Sequence, residues 1–284
     1  MINLTVRNLR VFFRQRAAVL FSLLGVFIII ALYVLFLGDV WTDSLGGIPG
    51  AENLMNSWVI AGIVSVTSIT TTMGAAGTIV DDRVRKCSKD FYAAPLKRHE
   101  IVGGYVLAIF AVGMIMSLVA LAAGQAYILL AGGELLSVSA IFRIAAVMVV
   151  SVFSSSSLVF FIVSFMRTTG AFTSASTVIG SLIGFLTGIY LPIGSLPQGV
   201  QWLIKLFPVS HASVLMRQIM MQQPIADSFA GVPADTELWF KEYVGVTYSF
   251  GSHTLEPLTH MLILSGVAVL FFGLALLNIS KKES

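Results

Sequence analysis

The chain is 284 residues long and 57% hydrophobic, with only 17 basic and 14 acidic side chains and a net charge of +3. Charged residues make up 11% of it, against roughly 25% in soluble domains, and the mean hydropathy is +0.91; an ordinary soluble protein is excluded and lipid is the main solvent. The single cysteine, Cys87, excludes an internal disulfide framework and any multi-cysteine metal site.

Residues 1–16 open the chain. Ile2, Val6, Leu9 and Phe13 recur at helical spacing, with Arg7, Arg10 and Arg14 on another face, the pattern of an amphipathic helix lying in a membrane interface. Such a helix either orients the span that follows or forms an elbow that braces the protein against a partner. A bilayer core of roughly 30 Å needs about 20 apolar helical residues. Uncharged runs of that size fall at 17–37, 57–80, 101–131, 144–166, 170–192 and 258–279. The predicted fold is therefore an all-α polytopic membrane protein with six transmembrane helices in one domain. The first run has no small-residue cleavage site after it and reads as a retained anchor rather than a signal peptide.

Between the second and third spans lies the 81–100 segment, DDRVRKCSKDFYAAPLKRHE. A chain that only reverses direction needs a short polar loop. This one is about 20 residues long, mixes charge with Phe91, Tyr92 and Leu96, and has a helix stop at Pro95, because the residue before a proline is driven out of the helical region. It reads as a docking surface or as a solvated extension of the flanking helices.

The fifth span carries Gly180, Gly184 and Gly188 at four-residue spacing, which lets another backbone approach closely; packing within the chain is favoured over a subunit contact. Gly74, Gly77, Gly103, Gly104 and the run Ser154 to Ser157 are read as packing residues too. Beyond the fifth span Pro192, Pro197 and Pro208 interrupt an otherwise apolar stretch, with Val200, Leu203, Ile204 and Phe207 forming a short helical stripe. Irregular backbone at membrane depth must be buried in protein or face water, so short re-entrant helices are predicted on the outer side between the fifth and sixth spans, within 193–257, with a purely structural outer cap as the alternative. Residues 218–256 read as a polar loop too poor in apolar periodicity for a substantial domain.

Basic residues near span ends stay in the cytoplasm. Thirteen of the 17 sit on one side: the N-terminal arginines, six in the 81–100 segment, Arg167, Lys281 and Lys282. Both termini are therefore predicted to be cytoplasmic, with Arg143, Lys205, Arg217 and Lys241 outside. The basic residues follow the spans and imply no nucleic-acid partner. No phosphate-cradling G-x-x-x-x-G-K-[ST] and no H-E-x-x-H occurs, and no ionisable side chain falls in mid-span, which argues against an ion-coupled carrier. Of the four histidines, His99 falls in the 81–100 segment, His211 and His253 outside, and His260 near the outer end of the sixth span; they do not have the spacing of a haem or zinc site.

Two segments together resemble the permease subunits of ATP-binding cassette exporters of the type-2 class. In that family an Arg-rich stretch and a short coupling helix precede Pro-Leu and an Arg-x-Glu-Ile start of the third helix; Arg83, Arg85, Pro95, Leu96, Arg98, Glu100, Ile101 and Gly104 stand in that order here. The family's second motif is similar to Gly188, Pro192, Leu196, Pro197, Pro208 and Arg217. The chain departs from the family at Lys86, Cys87 and Lys89, where a Gly-Thr and a Glu are common, and Asp90 is the nearest acid.

What the resemblance implies is a half-transporter that binds no cofactor itself, pairs with a second permease copy in the lipid bilayer, and docks two copies of a cytoplasmic ATPase subunit that hold ATP and Mg. Arg83, Arg85, Asp90, Phe91, Tyr92, Pro95, Leu96, Arg98 and Glu100 would then couple to the ATPase. The cargo would be an amphiphilic drug, peptide or lipid-like molecule, with a polysaccharide or lipid-linked glycan as the alternative. A channel or carrier working without ATP and a membrane-embedded hydrolase are rival classes; the hydrolase would need His260 as base and lacks an assignable serine partner.

Overall fold

A computed structural model describes residues 1–33, 35, 48–87, 91, 97–251 and 253–281. Two helices lead: α1 (Ile2–Arg14) and α2 (Arg16–Leu32). The membrane-sized helices follow: α3 (Ala51–Val84), α4 (Arg98–Leu130), α5 (Val138–Ser164) and α6 (Thr169–Leu186). A 3-10 turn at Ile193–Ser195 leads to four short helices, α7 (Gln198–Leu206), α8 (Pro208–Met220), α9 (Gln222–Ser228) and α10 (Ala234–Tyr243). A hairpin of β1 (Ser249–Phe250) and β2 (His253–Thr254) precedes the last long helix, α11 (Pro257–Lys281).

Among the described residues five helices, α3, α4, α5, α6 and α11, are long and apolar enough to cross a membrane. The first predicted span begins as α2, and its remainder at residues 34, 36 and 37 lies outside the described residues. The hairpin is a small departure from an all-α fold, with Ser249 paired to Thr254 and Phe250 to His253.

Several boundaries differ from the hydropathy runs for identifiable reasons. Helix α3 extends past the run at both ends, because Asn53, Asn56, Asp81 and Asp82 continue the helix although none is apolar. Helix α5 begins at Val138, where the Ser137 hydroxyl accepts the Ala140 N–H at 3.2 Å, a helix N-cap. Helix α6 stops at Leu186 rather than running to residue 192. Gly188 takes a left-handed φ of +62°, which glycine adopts without a Cβ penalty, and its N–H closes onto the Phe185 carbonyl at 3.0 Å.

Helix α3 is the axis of the bundle, packing against α2, α4, α5, α6 and α8; its buried residues run from Ala51 to Asp82. Close approach relies on small residues. A Cβ on Gly124 of α4 would meet Ile60, and one on Gly113 would meet Val152 and Thr72 at 2.6 and 2.7 Å. Hydroxyls join α3 to α5: Ser68 lies 3.1 Å from both Ser151 and Ser155, and Ser154 to Ser157 are all buried, as packing residues should be. On α4, Tyr127 donates to Asn56 of α3 at 3.1 Å. Helix α11 lies on α5 and α8.

The 218–256 segment is more than a polar loop. Phe229, Phe240, Val244 and Val246 are buried in it and join the main core; their spacing falls across short helices and turns, which a search for sustained periodicity passes over. Its cover over the bundle is anchored by Trp58 of α3, whose indole N–H donates to the Val244 carbonyl at 2.7 Å.

Candidate functional site

The bundle has two ends: the α1 end, with residues 81–87, 97–100 and 164–169, and the opposite end, with α7 to α10. Helix α1 places Leu4, Asn8 and Phe12 inward, an i, i+4 stripe set against Gly104 of α4, where a Cβ would meet Leu4 at 2.9 Å. The apolar residues Ile2, Val6 and Phe13 are exposed. Helix α1 thus has two apolar faces, one on the protein and one outward, and hydropathy alone reveals only their sum.

Arg7 does not stay on a solvent face. Its guanidinium forms a two-armed pair with the buried Asp82 carboxylate, one arm at 2.8 Å, and Tyr105 of α4 donates to the same carboxylate at 2.6 Å. The hydrogen bond to Asp82, more than its Coulomb attraction, raises the Arg7 pKa against the opposing cost of burial. The other face of Arg7 lies 5.4 Å from the Phe91 ring, a cation–π contact. One arginine therefore ties α1 to the end of α3 and to the 81–100 segment.

The other residues expected to couple divide into four groups. Arg83 donates to the Val163 and Met166 carbonyls, both at 2.9 Å, and so closes the end of α5, whose last carbonyls have no helical donor. Arg85 is exposed where α3 stops. Glu100 accepts the Lys97 backbone N–H at 3.0 Å and starts α4, and the Met1 ammonium stands 3.8 Å away. Asp90, Tyr92, Pro95 and Leu96 lie outside the described residues, as does the side chain of Arg98.

At the opposite end two residues of the proline-rich motif, Gly188 and Arg217, meet. Counted as an outer charge in the sequence, it is buried in the structure at 1% exposure. It donates to the Gly188 carbonyl at 2.8 Å and to the Thr187 carbonyl at 3.3 Å, so it caps α6, and its guanidinium stacks 4.8 Å from the Trp58 ring. No carboxylate among the described residues pairs with it, and burial lowers its pKa to about 10, which still leaves it charged at neutral pH. Pro192 precedes the 3-10 turn, Leu196 and Pro197 lead into α7, and Pro208 occupies the first turn of α8, where its missing N–H costs nothing.

Sequence reasoning missed one contact here. His211 of α8 and His260 of α11 bring their Nδ1 atoms within 2.7 Å, one ring donating and the other accepting, and Tyr248 packs edge-on at 5.9 Å from both. They are 49 residues apart and on different elements, so no local spacing announces them.

Of the three glycines on the fifth span, only part of the packing role appears. A Cβ on Gly184 would run into the Tyr190 ring, and Gly188 makes the turn, but nothing lies within 4 Å of a Cβ on Gly180. Only 11% of the most apolar stretch of α6 is buried, against 89% for α3. Beside this open helix, α1, α2, α3 and α6 enclose a cavity of about 480 Å³ lined by Phe12, Gln15, Ser22, Val66, Thr70, Met73, Thr78, Asp81, Phe172, Ser176, Ile183 and Tyr190, among others. Among the described residues the lining is chiefly apolar, with hydroxyls, the Gln15 amide and a single carboxylate, Asp81.

Residues 47–277 match the family described as ABC-2 family transporter protein. The chain belongs to that family. It is an integral membrane permease of the ATP-binding cassette type-2 class, whose members work with an ATP-binding cassette partner. No curated protein matches the chain.

Proposed function

We propose that this permease pairs with a second copy of itself through the open face of α6, and that two ATPase subunits drive export of an amphiphilic drug, peptide or lipid-like molecule between the copies. The observation that carries this reading is the contrast at α6: an apolar helix of membrane length with one side against a cavity lined by α1, α2 and α3 and the other side open. On that open side Val178, Leu182 and Phe185 are exposed and off the cavity wall, an apolar surface on which a second helix can pack. The mainly apolar lining favours an amphiphile over a long glycan.

In this reading both termini and the 81–100 segment are cytoplasmic, and α7 with α8 form re-entrant helices at the outer mouth. ATP and Mg sit on the partner, which closes and opens around them. Its free energy reaches the permease only through contacts that differ between the two states. The Asp90 to Leu96 region supplies those contacts, with Arg83, Arg85, Arg98 and Glu100 around it, and the Arg7 bridge to Asp82 and Phe91 carries the displacement into α1 and α3.

The test is to extract the chain in mild detergent, identify what co-purifies, and measure ATP hydrolysis and transport. Recovery of a P-loop ATPase in equal amount, with Phe91→Ala or Tyr92→Ala keeping hydrolysis but losing transport, supports the reading. A chain that purifies alone and moves solute down a gradient without ATP would contradict it.

A further inference from the structure

The last turn of α3 carries two neighbouring aspartates with opposite fates. Asp82 is buried and satisfied by Arg7 and Tyr105. Asp81 is half-buried on the cavity wall, and its carboxylate forms no ion pair or hydrogen bond among the described residues. Among the described residues no Lys, Arg or His side chain lines that cavity. Among the described residues the nearby basic groups are directed elsewhere: Arg7 to Asp82, Arg83 to the carbonyls of α5, while Arg14, Arg16, Arg85 and Lys86 are exposed and off the cavity wall.

Two further terms have the same sign. Asp81 sits in the C-terminal turn of α3, where the unpaired carbonyl end of a helix carries partial negative charge, and the apolar walls weaken dielectric screening. Ser176 adds a buried hydroxyl without a partner on the facing helix, and at about 480 Å³ the cavity is within the usual size of small-molecule sites.

We propose that Asp81 selects cargo by charge, and that the path takes lipophilic cations: an apolar body held between α3 and α6 with its positive charge at the Asp81 carboxylate. This rests on the proposed export of an amphiphile, with the cavity beside α6 taken as each copy's share of the transport path. It assigns a ligand contact to a residue that otherwise belongs to a charged helix end.

Tetraphenylphosphonium and tetraphenylborate, ions of nearly one shape and opposite sign, test it on the purified full-length chain. The cation binds saturably and the anion fails to displace it. Asp81→Asn weakens cation binding roughly tenfold, the scale of one unscreened charge pair, and removes the preference for sign. Asp81→Glu restores both, and Asp227→Asn, a carboxylate elsewhere in the chain, changes neither. Equal binding of the two ions, no saturable binding of the cation, or an Asp81→Asn variant that binds the cation as the parent does would overturn the proposal while leaving ATPase co-purification and coupling untouched. Cation binding that persists when Ser176→Trp fills the cavity would place the path elsewhere and overturn the path reading as well.

Discussion

Helices α3 and α6 are both apolar enough to span a membrane, yet 89% of the most apolar stretch of α3 is buried and only 11% of that of α6. Hydropathy, averaged over a window, rates them alike; what separates them is polar detail. Helix α3 carries Ser65, Thr67, Ser68, Thr71 and Thr72, all buried and bonded to their own helix or to α5. Lipid offers no partner for such groups, so a helix that carries them all round belongs inside protein. Helix α6 carries its hydroxyls on exposed positions, with Thr173, Thr177 and Ser181 bonding back to their own helix at 3.0, 2.9 and 2.8 Å. The packed helix supplies stability, and the open one leaves an apolar face uncovered, the face assigned above to the proposed pairing.

That contrast is sharpest at the two arginines attached to these helices. Arg217→Met removes the donor for the Thr187 and Gly188 carbonyls and the stack on Trp58, leaving buried acceptors unpaired; thermal unfolding in detergent should register a loss of about 3–4 kcal/mol. A loss below about 1 kcal/mol would mean that the carbonyls find other partners and that the cap on α6 is dispensable. Arg7→Ala strands the buried Asp82 carboxylate with Tyr105 alone. Because Arg7 is partly exposed, the cost should be smaller, about 2–3 kcal/mol, and Arg7→Ala combined with Asp82→Ala should recover part of it in a double-mutant cycle.

The histidine contact gives the same comparison a pH axis. Burial pushes the His211 pKa down from 6.5 to about 4, so the unfolded chain takes up a proton below about 6.5 that the folded protein refuses until about 4. Stability therefore falls as pH drops through that window and is fully present above it. Melting temperature measured from pH 7.5 to 4.5 should decline, and His211→Gln should flatten the curve; an unchanged slope would show that the pair takes its proton without cost. Ser68→Ala, on the packed helix, should cost about 0.6–1.7 kcal/mol, the range for hydrogen bonds between membrane helices, whereas Gly180→Ala on the open helix should leave the unfolding of the single chain within about 0.5 kcal/mol.

Much of this was legible from composition and period. The uncharged runs locate the membrane helices, and Gly188 followed by Pro192 already marks where α6 must end, although the longer apolar run to residue 192 masks the stop. What escaped has a common cause. Arg217 looks like an outer charge because the carbonyls that hold it belong to other elements, and Arg7 looks like a solvent-facing residue because Asp82 is 75 positions away. The His211–His260 contact and the fold of residues 218–256 are likewise long-range. Window-based reading sees a residue's neighbours in sequence, while a buried polar group is satisfied by neighbours in space.

In the proposed dimer the open face of α6 meets a second copy of the chain. Because Cys87 is the only cysteine, Cys87→Ser gives a clean background for placing one thiol on α6 and, separately, one on α11, which is also outward-facing. Oxidation in native membranes should link Val178→Cys, 56% exposed and off the cavity wall, into a disulfide dimer and leave Val269→Cys, 71% exposed in the parent chain, as a monomer. A dimer at position 269 with none at 178 would contradict that pairing and move the subunit interface to the other side of the bundle.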